Sequence, residues 1–315
     1  MKKLLLLFFI FLIAATGGLW FYINSQAVST NKDFSYFVIS KGSSAGQIGT
    51  KLESAKLIKS ALAFKLYLRF TGKSGSLTPG EFKLSPSFSL FQTVSTLFNG
   101  PVEVWVTIPE GLRREEIASR FATGLNKDSP FVDEFLSASK GQEGYLFPDT
   151  YLFPLDASAS AIVKKLTNTF TAKTSGFKPQ NDLSFSEVVT MASLLERETK
   201  TDAERPIVAG IMMNRLNAGM PLQIDASVQY AVGTTKNWWP ILTLENLQTN
   251  SSYNTYKYKG LPPAPIASPG LSSLRAAFNP EESDYWYYIH DSKGQIHYAR
   301  TLSEHNANIA KYLGK

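Results

Sequence analysis

The 315-residue chain contains no cysteine. That absence excludes disulfides, thiolate metal sites and a lipid-modified amino-terminal cysteine, and it suits an exported protein stabilised by a sizeable core. Catalysis then falls to oxygen and nitrogen groups. Lysine and arginine outnumber aspartate and glutamate, 32 to 26, yet no basic run reaches five residues and no basic stripe alternates with aromatics. The charge suits an acidic polymer or an anionic lipid, and nucleic acid is not an expected partner. Only three histidines occur, His290, His297 and His305. They lack ligand spacing, and beside Asp291 they read as exposed or capping residues of a hairpin, so neither a metal nor another cofactor is expected. No G-x-S-x-G elbow offers a serine nucleophile.

What is present begins with Met1-Lys2-Lys3 and an uncharged, mostly apolar run from Leu4 to Ile23. At about 1.5 Å per helical residue the run measures about 30 Å, the thickness of a bilayer's hydrocarbon core. Two lysines before it and no balancing basic cluster directly after it place the amino terminus in the cytoplasm. Everything from Asn24 onward should then face the periplasm or cell wall. Ser25-Gln26-Ala27 also has the small residues of a signal-peptidase site. Leu19 to Ile23 carry the apolar run beyond a usual signal sequence, which favours a retained, single-pass anchor in the cytoplasmic (inner) membrane.

The remainder divides into a polar linker over 24–33, a membrane-proximal module over 34–125 and a larger region over 126–315. In the module, Phe37 and Ile39 alternate as a strand, Lys41 to Ser44 make a turn, and Ile48 and Leu52 mark the buried face of a helix. The pattern returns with Val102, Val104 and Val106, the turn Pro109-Glu110-Gly111, and Ile117 and Phe121. Gly42 and Gly111, Ile48 and Ile117, and Leu52 and Phe121 are each 69 residues apart. Such strand-turn-helix units resemble halves of the LysM fold, a small glycan-binding module.

In the larger region, Glu143-Gly144-Tyr145-Leu146-Phe147-Pro148-Asp149-Thr150-Tyr151 reads as an aromatic loop. Ser184 and Glu187 form a capping box ahead of Phe185, Val188, Val189, Met191, Ala192 and Leu195, so a helix runs to the vicinity of Glu198. A second helix carries Ile207, Val208, Ile211 and Leu216 and stops at Gly219. Tyr285 to Ile289 and Gln295 to Ala299 read as hairpin strands, and Thr301 with Glu304 caps a terminal helix. Helices and hairpins mix without regular alternation, so the fold class is α+β.

Two glutamates, Glu196 and Glu198, end the strongly apolar helix, at the border between core and solvent where a carboxyl pKa can be raised. Both flank the apolar face, so periodicity does not choose between them. Glu198 lies nearer the carboxyl end, where the helix dipole favours the protonated form a general acid needs. Glu196 is assigned to solvent or to a supporting bond with Arg197. Further along, Asn214-Arg215-Leu216, Gly219 to Asp225, Tyr253-Asn254-Thr255-Tyr256 and Gly260 to Ile266 make loops rich in Asn, Gln, Tyr and Pro. They suit a carbohydrate cleft, with amides bonding hydroxyls and rings covering sugar faces.

Taken in order, the anchor, the LysM-like unit, the E-G-x-x-F-P-D-T stretch, the A-S-x-x-E-x-E-T helix and the Y-N-T-Y and G-L-P-P loops resemble the YceG-like endolytic murein transglycosylase family across nearly the whole chain. The resemblance implies that 126–315 is a catalytic domain and that Glu198 is its catalytic residue, acting alone as acid and then base. It implies cleavage of the bond between N-acetylmuramic acid and N-acetylglucosamine in nascent peptidoglycan, leaving 1,6-anhydro ends and limiting strand length. Candidate substrate-binding residues are Glu143, Asn214, Gln223, Asp225, Tyr253, Asn254 and Tyr256. Thr199 after the glutamate is similar to the Glu-Ser pairing of other lytic transglycosylases. Glycan strands, the cytoplasmic membrane and peptidoglycan synthases are the candidate partners. Where the family tends to L-Q-T-D-P-T this chain has Ile224, Ala226 and Ser227, and Ala264 replaces a usual glycine. The alternative is a non-catalytic, membrane-anchored peptidoglycan-binding or scaffold protein.

Overall fold

The computed structural model describes residues 2–73, 77–180 and 182–314. Met1 and Lys315, the ends of the segments drawn above, lie outside the described residues. Helix α1 (Lys2–Ser25) is long and apolar enough to cross a membrane by length and composition. The chain forms two compact units, residues 1–106 with 151–157, and residues 107–150 with 158–315.

In the first unit, β1 (Ser35–Ile39), α2 (Ala45–Ser54), α3 (Ala61–Phe70) and β2 (Gly80–Leu84) follow in order, then α4 (Leu90–Phe98) and β3 (Glu103–Thr107). Strands β1 and β2 pair antiparallel with Phe37 opposite Phe82. Their inward residues close on Ile48, Leu52, Phe64 and Leu68. Serine starts the helices: Ser44 with Gln47 and Ser89 with Gln92 form full capping boxes, each satisfying orphan amides at both positions. The expected linker is tied down, because the Val28 and Ser29 amides both donate to Pro86 O at 3.1 Å and the Ser85 hydroxyl donates to Asn31 O at 3.2 Å.

After β3 come α5 (Arg114–Gly124), α6 (Ser129–Ala138) and β4 (Thr150–Pro154), so the order β-α-α-β occurs twice. The four strands form one sheet in the order β1-β2-β3-β4. Gly42 and Gly111 both have left-handed φ, 81° and 76°, which explains why glycine recurs at the two turns. Strands β3 and β4 belong to the first unit while α5 and α6 belong to the second. The boundary expected at 125/126 therefore falls inside the second unit, where no composition shift marks the return of the chain.

The second unit continues with α7 (Ala159–Thr174), α8 (Phe185–Glu198), α9 (Arg205–Asn217), α10 (Asp225–Val232), a 3-10 turn (Asn246–Gln248), α11 (Leu271–Phe278), β5 (Tyr287–His290), β6 (Ile296–Ala299) and α12 (Leu302–Leu313). Helix α8 is its axis. Every residue from Val188 to Leu195 is buried, so this stretch is enclosed on all sides rather than amphipathic, with α9 and α11 against it. Its polar members are neutralised locally: Ser193 donates to Thr190 O at 2.7 Å and accepts the Ile266 amide at 3.0 Å. That second bond fastens the proline-rich loop to α8. Pro265 of the same loop meets Gly144, where an added Cβ would lie 2.5 Å from the Pro265 Cβ and φ is already +83°. Two separated motifs thus require each other's shape.

Candidate active site

Glu198 is the last residue of α8. Thr199 closes the helix, its amide and hydroxyl both donating to Leu195 O, at 3.0 and 2.7 Å. The hydroxyl is spent on the backbone. Glu198 instead accepts a 3.0 Å hydrogen bond from the Tyr288 phenol on β5, and the Ala226 amide in the first turn of α10 favours its charged form.

Burial pushes the Glu198 carboxyl up to about 7; the Tyr288 bond opposes the rise, Asp225 adds to it, and the Ala226 amide and Arg197 oppose it. Desolvation is therefore the main cause of the rise. The Tyr288 hydroxyl is itself raised well above its ordinary value by burial and by the Glu198 charge, so it stays a donor. A carboxyl balanced near neutrality, with a fixed phenol beside it, can give a proton and take one back.

This carboxyl opens on a cavity of about 480 Å³ lined by Gln223, Asp225, Tyr256, Tyr288, Arg215 and His290 among others. The loop before α10 is held by the Y-N-T-Y loop: the Gln223 amide donates to Thr255 O at 3.1 Å, the Ile224 amide to Thr255 Oγ1 at 2.9 Å, and Ser227 Oγ lies 2.9 Å from the same Oγ1. Gln223 takes a left-handed φ of 55°, a cost of order 1 kcal/mol that this clamp sustains. Tyr256 donates to Asp225 Oδ1 at 2.6 Å. Of the positions that depart from the family pattern, Ile224 is core, Ser227 is part of the clamp, and Ala226 supplies the amide that reaches Glu198.

The other candidate residues lie elsewhere. Asn214 donates to Ser283 O and Tyr285 O at 2.8 and 3.0 Å, holding the segment before β5. Asn254 is 0% exposed, donating to Leu247 O and Thr249 O and accepting the Tyr256 amide. Glu143, 6% exposed, accepts the Arg114 amide that opens α5 and the Tyr230 hydroxyl at 3.3 Å. Burial and the nearby Glu115 raise it to about 8 against the opposing arginines 114 and 113 and the Tyr230 bond. Tyr253 packs at a tilt against Tyr230, ring centroids 4.8 Å apart. Glu143 and Tyr253 therefore belong to a second cluster, in which Arg113 lies over Tyr230 and Trp238.

Glu196 corrects the expectation of a solvated or Arg197-bonded group. Its side chain is 6% exposed and paired with Arg205 at 3.2 Å, and it accepts the Gly270 amide at 2.8 Å. Arg197 instead stacks on Trp239, 3.9 Å from the ring centroid. Tyr288 was not singled out from the sequence, and Arg215 was read only as part of the Asn214-Arg215-Leu216 stretch. Arg215 donates to Trp286 O and Leu222 O at 2.8 and 2.7 Å, joining α9 to the hairpin and to the loop before α10. Nothing in the strand pattern distinguished Tyr288 from its neighbours.

A family model described as the YceG-like family matches residues 37–311. The chain is 33% identical to the endolytic murein transglycosylase of Bacillus subtilis, over 94% of this chain and 91% of that one. It is 28% identical to that of Streptococcus pneumoniae serotype 2, over 99% of this chain and 65% of the other. A crystal structure of a yceG-like protein from Listeria monocytogenes is 32% identical and aligns with a TM-score of 0.56 over 88% of this chain and 99% of that chain. A match over so much of the length, joined to a glutamate at the end of the expected helix, leaves one conclusion: the chain belongs to the YceG-like family.

Proposed function

We propose that the protein is an endolytic murein transglycosylase in which Glu198 is the catalytic residue. The observation that carries this reading is one carboxyl raised to about 7, hydrogen-bonded to Tyr288 and facing an open cavity. Protonated Glu198 donates to the oxygen joining N-acetylmuramic acid to N-acetylglucosamine, and the C1–O bond breaks. The muramic acid C6 hydroxyl attacks C1, and its proton passes to the carboxylate, which regenerates the acid. No water is consumed. One carboxyl therefore suffices, whereas a hydrolase usually needs a second to activate water or to form a covalent intermediate.

Tyr288 is a positioning residue that fixes the carboxyl. Gln223, Asp225 and Tyr256 are the substrate contacts, because they share its cavity. Asn214, Asn254, Glu143 and Tyr253 are assigned to holding the loops. The 34–125 segment serves as a LysM-like, membrane-proximal module, with α1 as a retained anchor and the rest outside the cytoplasm, where cleavage of nascent strands near their synthases limits strand length. The test is mass spectrometry of glycan strands digested by the full-length protein. Ends lighter by one water than a reducing sugar are expected; reducing ends would make it a hydrolase, and intact strands with retained binding would make it a scaffold.

A further inference from the structure

The junction between α1 and the first unit has no slack. Phe21, inside the apolar run, packs on Phe91 of α4 with ring centroids 6.3 Å apart, and Phe91 packs on Tyr67 of α3 at 5.1 Å. Ser25 is buried, and the amides of Val28 and Ser29 are tied to Pro86 O. Phe21 is two residues from the end of the run, about 3 Å along the axis. Rings that touch it must therefore lie at the level of the lipid headgroups whenever α1 spans the bilayer.

The surface beside this contact is apolar and positive. Phe70, at the end of α3, is 84% exposed, and Leu62 and Phe91 are also exposed. From Ser54 to Gly80 the chain has five basic residues, Lys56, Lys59, Lys65, Arg69 and Lys73, and no acidic one. Lys65 and Arg69 are exposed on α3, one helical turn apart. We infer that α3 and the start of α4 form a lipid-contacting surface, with Phe70 and Phe91 entering the interface of the outer leaflet and Lys65, Arg69 and Lys73 meeting anionic headgroups. Aromatic rings favour that depth, and basic residues at an anionic surface each strengthen contact about fivefold, equivalent to about 1 kcal/mol. The anchor then holds the first unit flat on the membrane as well as near it.

This inference rests on the reading of α1 as a membrane span, and the test separates the two. Because the chain lacks cysteine, L12C and F70C variants of the full-length protein can each carry one environment-sensitive fluorophore. Both are reconstituted into phosphatidylcholine vesicles with and without phosphatidylglycerol, with a lipid-borne nitroxide as quencher. The L12C label should be shielded and quenched by a deep nitroxide. The F70C label should shift to the blue and be quenched by a shallow nitroxide, more so with phosphatidylglycerol, and replacing Lys65, Arg69 and Lys73 with Gln should remove that dependence. L62C provides a second reporter should labelling at 70 disturb the helix. A shielded L12C label with F70C and L62C labels in water would overturn the inference while the anchor stands. An L12C label in water would overturn both.

Discussion

Two desolvated glutamates in the second unit differ in what surrounds them. Glu198 and Glu143 are both pushed up mainly by burial, to about 7 and about 8, and each accepts a phenol. Glu198 faces a cavity, with α10 and β5 supplying its donors. Glu143 is spent on the amide that opens α5 and is enclosed by Arg114, Arg113 and Tyr230. A raised pKa marks desolvation in both places; only where the carboxyl also meets open space can it protonate a substrate.

The sharpest way to break this contrast is a pair of substitutions. Glu198→Gln should lower turnover about 10²- to 10⁴-fold, the worth of general acid-base catalysis. Glu143→Gln should remain within about tenfold of wild type, because it touches no reacting atom. Counting 1,6-anhydro ends by mass spectrometry checks both, and a dead Glu143→Gln with an active Glu198→Gln would reverse the assignment.

The next effect is on pH dependence. In the proposed mechanism protonated Glu198 starts the reaction, so kcat/KM should fall above about pH 7. Tyr288→Phe removes a donor that favours the charged carboxylate, so the falling limb should move to higher pH while the rate drops about tenfold, as for one hydrogen bond to a charged group. Rate profiles between pH 5 and pH 9, values chosen to span roughly the shifted pKa, decide this. A limb unmoved by Tyr288→Phe would show that another group controls it.

Stability sharpens the comparison further. Folding raises Glu143 from its ordinary 4.5 to about 8, so the folded state loses stability as pH climbs from 4.5 through 8 and is unaffected below that window. Glu143→Gln, which keeps an acceptor for the Arg114 amide, should therefore melt like wild type at acidic pH. Above pH 8 it should gain up to about 2–3 kcal/mol, allowing for relaxation of the site. Calorimetry across that range would register it. The smallest effects are expected beside Glu198. Ala226→Pro deletes the amide donor and should move the limb slightly up, whereas Asp225→Asn removes a like charge and should move it slightly down. Shifts of the same sign would contradict this account of the site.

Much of this was readable beforehand, for local reasons. The capping box at Ser184 and the apolar run behind it located α8 and brought Glu198 to its end. The glycine turns at 42 and 111 exposed the repeat, since a left-handed turn restricts residue choice. What stayed hidden depends on long-range contact. The Tyr288 bond spans 90 residues and the Glu196 bond to the Gly270 amide spans 74, and no spacing rule reaches so far. Amide side chains carry a related ambiguity. Asn214 and Asn254 look like ligand-binding groups in a loop, but a buried backbone carbonyl needs a donor as much as a sugar hydroxyl does.

The hairpin that carries Tyr288 is itself braced by α12, through Tyr287 stacked on His305 at 5.0 Å and His297 stacked on Tyr312 at 3.6 Å. Synthesis runs from the amino end, so Glu198 leaves the ribosome long before its phenol partner exists and longer still before the bracing helix is made. Until then the carboxyl lacks the Tyr288 phenol, and the cavity lacks the wall formed by Leu302, His305 and Leu313. The order of emergence therefore leaves the Glu198 pocket incomplete until the last helix has been made.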